Sequence, residues 1–223
     1  MISLAYGLLC AALLVLGYWL KQRRSRLNNH ARGALNAALL ALSLPAASAL
    51  LLAFGDLSQH QTLAHVQRIL GLAAQNISLP LIGLSGFYLA FGLRWQPANW
   101  GRILLGLMAA FELTRRMDMQ HGYQWSISLL GLVLLLLACA LILLRDLRPI
   151  LAGGATMLGV LAPLFSANAA ALAGLLESSP LVFWLFPALL GAGLTVGLLS
   201  EQAHNGHNPT TVASSDESNA ERT

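Results

Sequence analysis

Six long stretches of mainly apolar residues dominate the 223-residue sequence and constrain its fold more than any other feature. A helix that crosses a bilayer needs about 20 mainly apolar residues, and each stretch is close to that length. Because 57% of all residues are apolar, a soluble domain would have too few polar residues to cover its surface. The sequence therefore predicts an all-α, polytopic membrane helix bundle over residues 1–199. The six stretches are 2–20, 33–54, 69–93, 126–144, 150–173 and 181–199.

A weaker apolar stretch, 101–119, decides whether the bundle has six or seven transmembrane helices. Its uninterrupted apolar part is too short to cross, but a helix that continues to Met119 reaches about 28 Å at ~1.5 Å per residue. Glu112 is then spaced to pair with Arg116, or with Arg115, on one helical face. We expect this segment to cross the membrane. The bundle then has seven transmembrane helices, and it has six if the segment does not cross.

Basic residues are concentrated directly after the first apolar stretch. By the positive-inside rule this loop is cytoplasmic, so we expect the N-terminus outside and, after seven crossings, the C-terminus in the cytoplasm. Residues 200–223 are polar and lack apolar periodicity, which is typical of a disordered tail. The charge pattern and short connections favour a multi-pass protein of a bacterial inner membrane. The basic residues are Lys21, Arg23, Arg24, Arg26 and Arg32.

Prolines and small residues occur inside the predicted helices. A proline removes a backbone hydrogen bond and frees a carbonyl, so we expect kinks at Pro45, Pro80, Pro163 and Pro187. Small residues at four-residue spacing let helix backbones approach closely, either within one chain or between a chain and a partner. The residues expected to make such helix–helix contacts are Ser166, Ala170, Gly174, Gly193 and Gly197.

Polar side chains gather at the predicted outer ends of the third and fourth helices. Two histidines precede the third helix, an asparagine lies about two turns inside it, and the charged end of the fourth helix faces the same side. Polar groups at this depth need partners or a water-filled cavity, so we predict an outer vestibule for a small solute or ion. A purely structural rim that anchors the helices would use the same residues. The predicted cluster comprises His60, His65, Asn76, Glu112, Arg115, Arg116, Asp118 and His121.

Met117, Met119 and His121 add a second hypothesis for the same rim. Thioether and imidazole ligands together suit monovalent copper, so these residues are candidate copper ligands. Interfacial anchoring of this helix end explains them equally well. We expect no other cofactor.

One motif raises the question of catalysis. Gly83-Leu84-Ser85-Gly86 is similar to the serine motif of rhomboid intramembrane proteases. Such a serine needs a histidine on a later helix to activate it, and the sequence has no histidine between His121 and His204. We therefore expect no proteolytic activity, and an enzyme is the class of function that the sequence supports least.

Three classes of function stay open. A small solute or ion transporter, or its accessory subunit, would use the kinked helices and the polar vestibule. A structural or assembly partner of a membrane complex would need only the small-residue faces. A copper-handling protein would use the histidines and methionines on the outer, periplasmic side. The lipid bilayer is the expected surrounding, and no nucleic-acid partner is expected.

Overall fold

The computed structural model describes residues 2–24, 29–55, 61–93, 95–117, 120–142, 148–167 and 172–205. All regular secondary structure within these ranges is helical, as the apolar stretches predicted. Six long helices come first: α1 (Ile2–Arg24), α2 (Asn29–Gly55), α3 (Gln61–Phe91), α4 (Pro97–Arg116), α5 (Gln120–Ile142) and α6 (Arg148–Ala167). A 3₁₀ turn (Ala173–Leu175) is followed by α7 (Val182–Leu185), a π-helical segment (Phe186–Leu190) and α8 (Gly191–Asn205).

Five helices in the described part of the chain are long and apolar enough to cross a membrane. They are α1, α2, α3, α5 and the continuous run Val182–Glu201 that joins α7 to α8. This finding confirms the prediction of a multi-pass membrane helix bundle. Helices α4 and α6 are not among the five, so the count of seven crossings and the orientation stay predictions.

Helix α3 lies at the centre of the bundle. It packs mainly against α2 and α5 and also contacts α4 and α8. In its most apolar stretch 72% of residues are buried, compared with 33% in α1. A helix that is apolar on all sides is stable where neighbours surround it. The middle of α3 is therefore the part of the bundle best shielded from lipid.

Helices α3 and α5 run parallel and touch at glycines. A Cβ added to Gly131 of α5 would lie 2.6 Å from the carbonyl carbon of Leu79, and a Cβ added to Gly83 would overlap the Gly131 backbone. Further along both helices, Gly86 faces Leu135. The contact positions advance in the same direction along both chains, which defines parallel packing. The backbones touch because these glycines lack side chains.

Helix α4 returns the chain from the end of α3 to the start of α5. The Trp100 ring, near the start of α4, lies 5.4 Å from the Tyr88 ring near the end of α3. Further along α4, the carbonyl of Leu107 accepts a hydrogen bond of 3.3 Å from the Tyr123 hydroxyl at the start of α5. Helix α4 therefore runs antiparallel to both neighbours.

Helix α6 makes the same kind of return between α5 and α8. Gly159 of α6 lies against Ala188 in the π-helical segment, and Gly191 of α8 lies against Ala152 near the start of α6. The contact positions therefore advance in opposite directions, so α6 is antiparallel to the run from α7 to α8.

The first and last helices also run parallel. Near the start of α1, the Tyr6 hydroxyl oxygen lies 3.1 Å from the carbonyl oxygen of Glu177, which precedes α7. At the end of α1, Arg23 forms an ion pair with Glu201 in α8. We call the end of the bundle at which α1 begins the N-terminal end, and the opposite end the C-terminal end.

Most helices extend beyond the apolar stretches that predicted them, by eight residues at the start of α3. The described part of α6 extends to Ala167, and residues 172–175, where its predicted stretch ends, form a separate turn that bonds to other helices. Helix α8 continues to Asn205, past the predicted boundary at residue 199.

Prolines lie inside the helices as the sequence predicted. Pro45, Pro80 and Pro163 are within α2, α3 and α6. Pro187 lies within the π-helical segment. Proline has no amide hydrogen to donate to the carbonyl four residues earlier, which favours such a local irregularity.

Close helix contacts involve the glycines that were expected to pack. Gly193 lies against Leu16 of α1, and Gly197 lies against the ring of Trp19. Gly174 contacts Leu181. All these contacts are within the chain. Ala170 and the side chain of Ser166 are outside the described residues, and binding of a partner chain through this set stays a prediction.

Candidate functional site

The predicted outer vestibule is only partly visible in the described residues. His65 is exposed in the first turns of α3, whereas Asn76 is buried with 2% exposure. Nε of Arg116 lies 3.3 Å from Oε1 of Glu112, which confirms the predicted pairing. The side chains of Glu112 and Arg116 are 43% and 77% exposed. His60, Asp118 and the side chains of Arg115 and His121 lie outside the described residues, so the vestibule as a whole stays a prediction.

The copper hypothesis depends mainly on side chains outside the described residues. Met117 is 60% exposed at the end of α4. Met119 and the side chain of His121 are not described. Among described residues, no group of three or more His, Cys, Asp and Glu side chains could hold a metal ion. The copper site therefore remains a prediction.

A row of buried polar residues lies where α3 packs against α5. Gln75 and Asn76 of α3 are 1% and 2% exposed, and Gln124 and Ser128 of α5 are 7% and 4% exposed. We call these four residues the seam cluster. It adjoins the glycine contact around Gly131, on the side facing the N-terminal end of the bundle.

Helical spacing explains why the seam cluster faces the α3–α5 contact. In α5, Gln124, Ser128, Gly131 and Leu135 follow one another at intervals of four, three and four residues, so they lie along one face. Gly131 and Leu135 contact α3. Ser128 and Gln124 therefore lie on the same face of α5, one and two turns before Gly131.

In α3, Asn76 precedes Pro80 by four residues, and Pro80 lies against Gly131. Asn76 is therefore one turn from the glycine contact, on the contacting face of α3. Ser128 is also one turn from that contact, and the helices are parallel. Asn76 and Ser128 thus lie at the same level of the bundle.

Three oxygen atoms of the seam cluster are buried without a hydrogen-bond partner among the described residues: Oε1 of Gln75, Oδ1 of Asn76 and Oγ of Ser128. Leaving a buried polar group without a partner costs about 1–3 kcal/mol each. Several other hydroxyls in the bundle avoid this cost by donating to their own helix. Ser85 donates to Ile82, for example, at 2.8 Å.

Two features leave further acceptor capacity at this position. Nδ2 of Asn76 donates to the carbonyl of Leu72 at 2.7 Å, so the amide group presents its oxygen as the unpaired atom. Pro80 has no amide hydrogen to donate to the Asn76 carbonyl, which lies four residues earlier. The α3 side of the cluster therefore carries several oxygen acceptors.

Two other buried hydroxyls without a partner lie elsewhere. Ser78 and Ser179 both have an unpaired Oγ. Ser78 is two residues after Asn76, about 200° around the helix at ~100° per residue, so it faces away from α5. Ser179 belongs to the segment that precedes α7. Neither hydroxyl is part of the seam cluster.

Residues 172–181, which we call the cap segment, lie at the N-terminal end of the bundle. The carbonyl of Leu175 accepts hydrogen bonds from Oγ of Ser48 at 3.0 Å and from Nε2 of Gln67 at 2.8 Å. The Tyr6 hydroxyl donates to the carbonyl of Gly174. Side chains of three helices thus satisfy carbonyl oxygens of an irregular segment, which a membrane environment requires.

An apolar groove of about 290 Å³ lies between α1 and α2. Leu13, Gly17 and Leu42 are among its lining residues, and Lys21 lies at its edge. The lining is almost entirely apolar. The groove therefore suits hydrocarbon rather than a polar solute.

Sequence reasoning identified Asn76 as a polar residue that needs a partner or a cavity, but it missed Gln124 and Ser128. The spacing of four, three and four residues places Gln124 and Ser128 on one face of α5 with Gly131 and Leu135. This spacing identifies a functional face only when it is known that α3 packs there. Tyr6, Ser48 and Gln67 were also missed, because the carbonyls that they bond lie more than a hundred residues later.

The chain matches no protein-family model, no curated protein and no solved structure.

Proposed function

We propose that this protein is a transporter of a small polar solute or ion, or the subunit of a transporter that binds it, with the seam cluster as the binding point. The observation that carries the proposal is the set of three unpaired oxygens of Gln75, Asn76 and Ser128, buried in an apolar bundle. A purely structural core gains nothing from such groups, since apolar residues of similar size would avoid their cost. Polar residues inside a membrane bundle are typical of a solute or ion pathway.

Helix directions support seven crossings. Helices α3 and α5 are parallel, so a chain that leaves α3 on one side of the membrane must return before α5 begins. Helix α4 makes that return, and α6 makes the corresponding return between α5 and α7. With the basic residues after α1 on the cytoplasmic side, the proposed topology has the N-terminus outside and the tail inside, in a bacterial inner membrane.

The position of the seam cluster favours access from the outer, N-terminal end of the bundle over access from the opposite end. Towards the C-terminal end, the contact of Gly131 with Leu79 and Gly83 brings the two backbones together and closes the seam. Towards the N-terminal end, the polar row continues to Gln124. The opposite state of a transport cycle would require α3 and α5 to separate at Gly131, and Pro80 supplies a weak point in α3 for this movement.

Assembly and copper binding are weaker alternatives. The close contacts of Gly193 and Gly197 with α1 are made within the chain, so these glycines do not require a partner chain to explain them. Neither alternative accounts for the buried oxygens of the seam cluster.

The experiment is a flux measurement in proteoliposomes with a panel of small polar solutes and monovalent ions. The test variant is Ser128→Ala, and the control is Ser126→Ala, whose hydroxyl is exposed and bonds to its own helix. We expect Ser128→Ala to lower flux about tenfold, as loss of one direct contact worth ~1.4 kcal/mol would do. Its thermal stability should be equal or higher, because the variant removes an unpaired buried hydroxyl.

A structural role for Ser128 predicts the reverse result. Flux would then fall only in step with the amount of folded protein. Flux at the level of protein-free liposomes across the whole panel would end the proposal.

A further inference from the structure

We infer that the seam cluster binds a monovalent alkali cation, Na⁺ or K⁺. This inference rests on the proposed function and names the class of ligand that the site takes. Three fully buried side-chain atoms of the cluster have no hydrogen-bond partner among the described residues, and all three are oxygens: Oε1 of Gln75, Oδ1 of Asn76 and Oγ of Ser128. Pro80 has no amide hydrogen to donate to the backbone carbonyl of Asn76, so this carbonyl is a further oxygen acceptor on the same turn of α3.

The chemistry of the three buried oxygens favours a cation over an anion as ligand. An anion needs hydrogen-bond donors, but Nδ2 of Asn76 already donates to the carbonyl of Leu72. Amide and carbonyl oxygens only accept hydrogen bonds, and the Ser128 hydroxyl can turn its lone pairs towards a cation. A group of buried oxygen acceptors without hydrogen-bond donors paired to them is complementary to positive charge.

The neutral character of the cluster selects a monovalent cation over a divalent one. Ca²⁺ and Mg²⁺ sites in proteins use carboxylate ligands, whereas the four residues of the cluster carry amides and a hydroxyl. Soft metals prefer thiolate, thioether and imidazole groups, which these four side chains also lack. Neutral carbonyl and hydroxyl oxygens replace the hydration shell of alkali cations in membrane proteins.

The Glu112 carboxylate is too far away to change this conclusion. Leu107 and Tyr123 are at the same level, since they are joined by a hydrogen bond of 3.3 Å. Glu112 lies five residues beyond Leu107 towards the N-terminal end, and Ser128 lies five residues beyond Tyr123 in the opposite direction. The axial separation is therefore about 15 Å at ~1.5 Å per residue. Glu112 can attract cations to the rim, but it does not reach the cluster.

The test is thermal unfolding of the purified full chain in a non-ionic detergent at constant ionic strength. Choline chloride is replaced stepwise by NaCl or KCl. The inference predicts a saturable rise in Tm of roughly 5–10 °C at a cation concentration about a hundredfold above Kd. Ser128→Ala should lose most of this rise, and the control Ser126→Ala should retain it.

Binding of radioactive ²²Na⁺ to the wild-type protein, displaced by unlabelled Na⁺ or K⁺, gives a second measurement that needs no variant. A Tm that is the same in choline, Na⁺ and K⁺, together with absence of displaceable ²²Na⁺, would overturn the inference. The same rise in Ser128→Ala as in wild type would also overturn it. If flux of an uncharged solute persists in choline buffer, the proposed transport function holds and the cation inference fails.

Discussion

The guanidinium of Arg23, at the end of α1, forms an ion pair with the carboxylate of Glu201, near the end of α8. The same guanidinium lies 3.7 Å from the centre of the Trp19 ring, and Nη1 lies 3.4 Å from the Gly197 carbonyl. The first and last helices therefore end on the same side of the bundle. If both cross the membrane in this direction, the number of crossings is odd, which favours seven over six.

Helix α4 decides between six and seven crossings, so the topology is best tested at its two ends. We expect a reporter enzyme that is active only outside the cytoplasm to be active when it is inserted after Met117 and inactive after Leu93 or Ser200. A fluorescent protein that folds only in the cytoplasm should give the opposite pattern. Inactivity of the enzyme after Met117, with fluorescence there, would show that α4 does not cross.

Gly131 is expected to tolerate no side chain. In Gly131→Ala the new Cβ would lie 2.6 Å from the carbonyl carbon of Leu79, so the two backbones must separate, at a cost of about 1–3 kcal/mol. The matched control is Gly154→Ala, where nothing lies within 4 Å of the added Cβ. Thermal unfolding in detergent should show a clear loss of stability for Gly131→Ala and almost none for the control. Equal Tm values for the two variants would argue against the close α3–α5 contact.

The cap segment should depend on the Tyr6 hydroxyl. Tyr6→Phe leaves the carbonyl of Gly174 without this donor, and a buried carbonyl that loses its partner costs about 1–3 kcal/mol. We expect a lower Tm and faster proteolysis within residues 172–181. Tyr18→Phe is the control on the same helix, because Tyr18 is 64% exposed and its ring faces the surroundings. If both variants behave like wild type, Tyr6 does not hold the cap segment.

The helices could be predicted because each transmembrane helix needs its own run of apolar residues. The Glu112–Arg116 pair was predictable for a similar reason, since both residues belong to one helix. The cap segment could not be predicted in this way. Its apolar residues continue the predicted stretch 150–173, and hydrogen bonds from distant side chains, those of Tyr6, Ser48 and Gln67, hold it in an irregular conformation.

The seam cluster shows where sequence reasoning ended. Asn76 stood out because an amide in an apolar helix needs a partner. Ser128 did not, since a hydroxyl inside a helix normally bonds a carbonyl of the preceding turn, as Ser126 does to Gly122. The significance of Ser128 depends on the parallel packing of α3 and α5, which is a long-range property of the fold.

Water access to Ser128 is the most direct test of the proposal that the seam cluster is a binding site. In a chain with Cys10→Ala and Cys139→Ala, single cysteines are introduced as Ser128→Cys, as Gly122→Cys at the exposed start of α5, and as Ala138→Cys beyond the glycine contact. Intact cells are treated with a small, charged, membrane-impermeant thiol reagent, which modifies only hydrated thiols because the thiolate is the nucleophile. If the seam cluster is a hydrated cation site, the reagent should modify Ser128→Cys and Gly122→Cys but not Ala138→Cys. Modification of Ser128→Cys should be slower in Na⁺ or K⁺ than in choline. A Ser128→Cys thiol as unreactive as Ala138→Cys, while Gly122→Cys reacts, would show a sealed seam and contradict the proposed site.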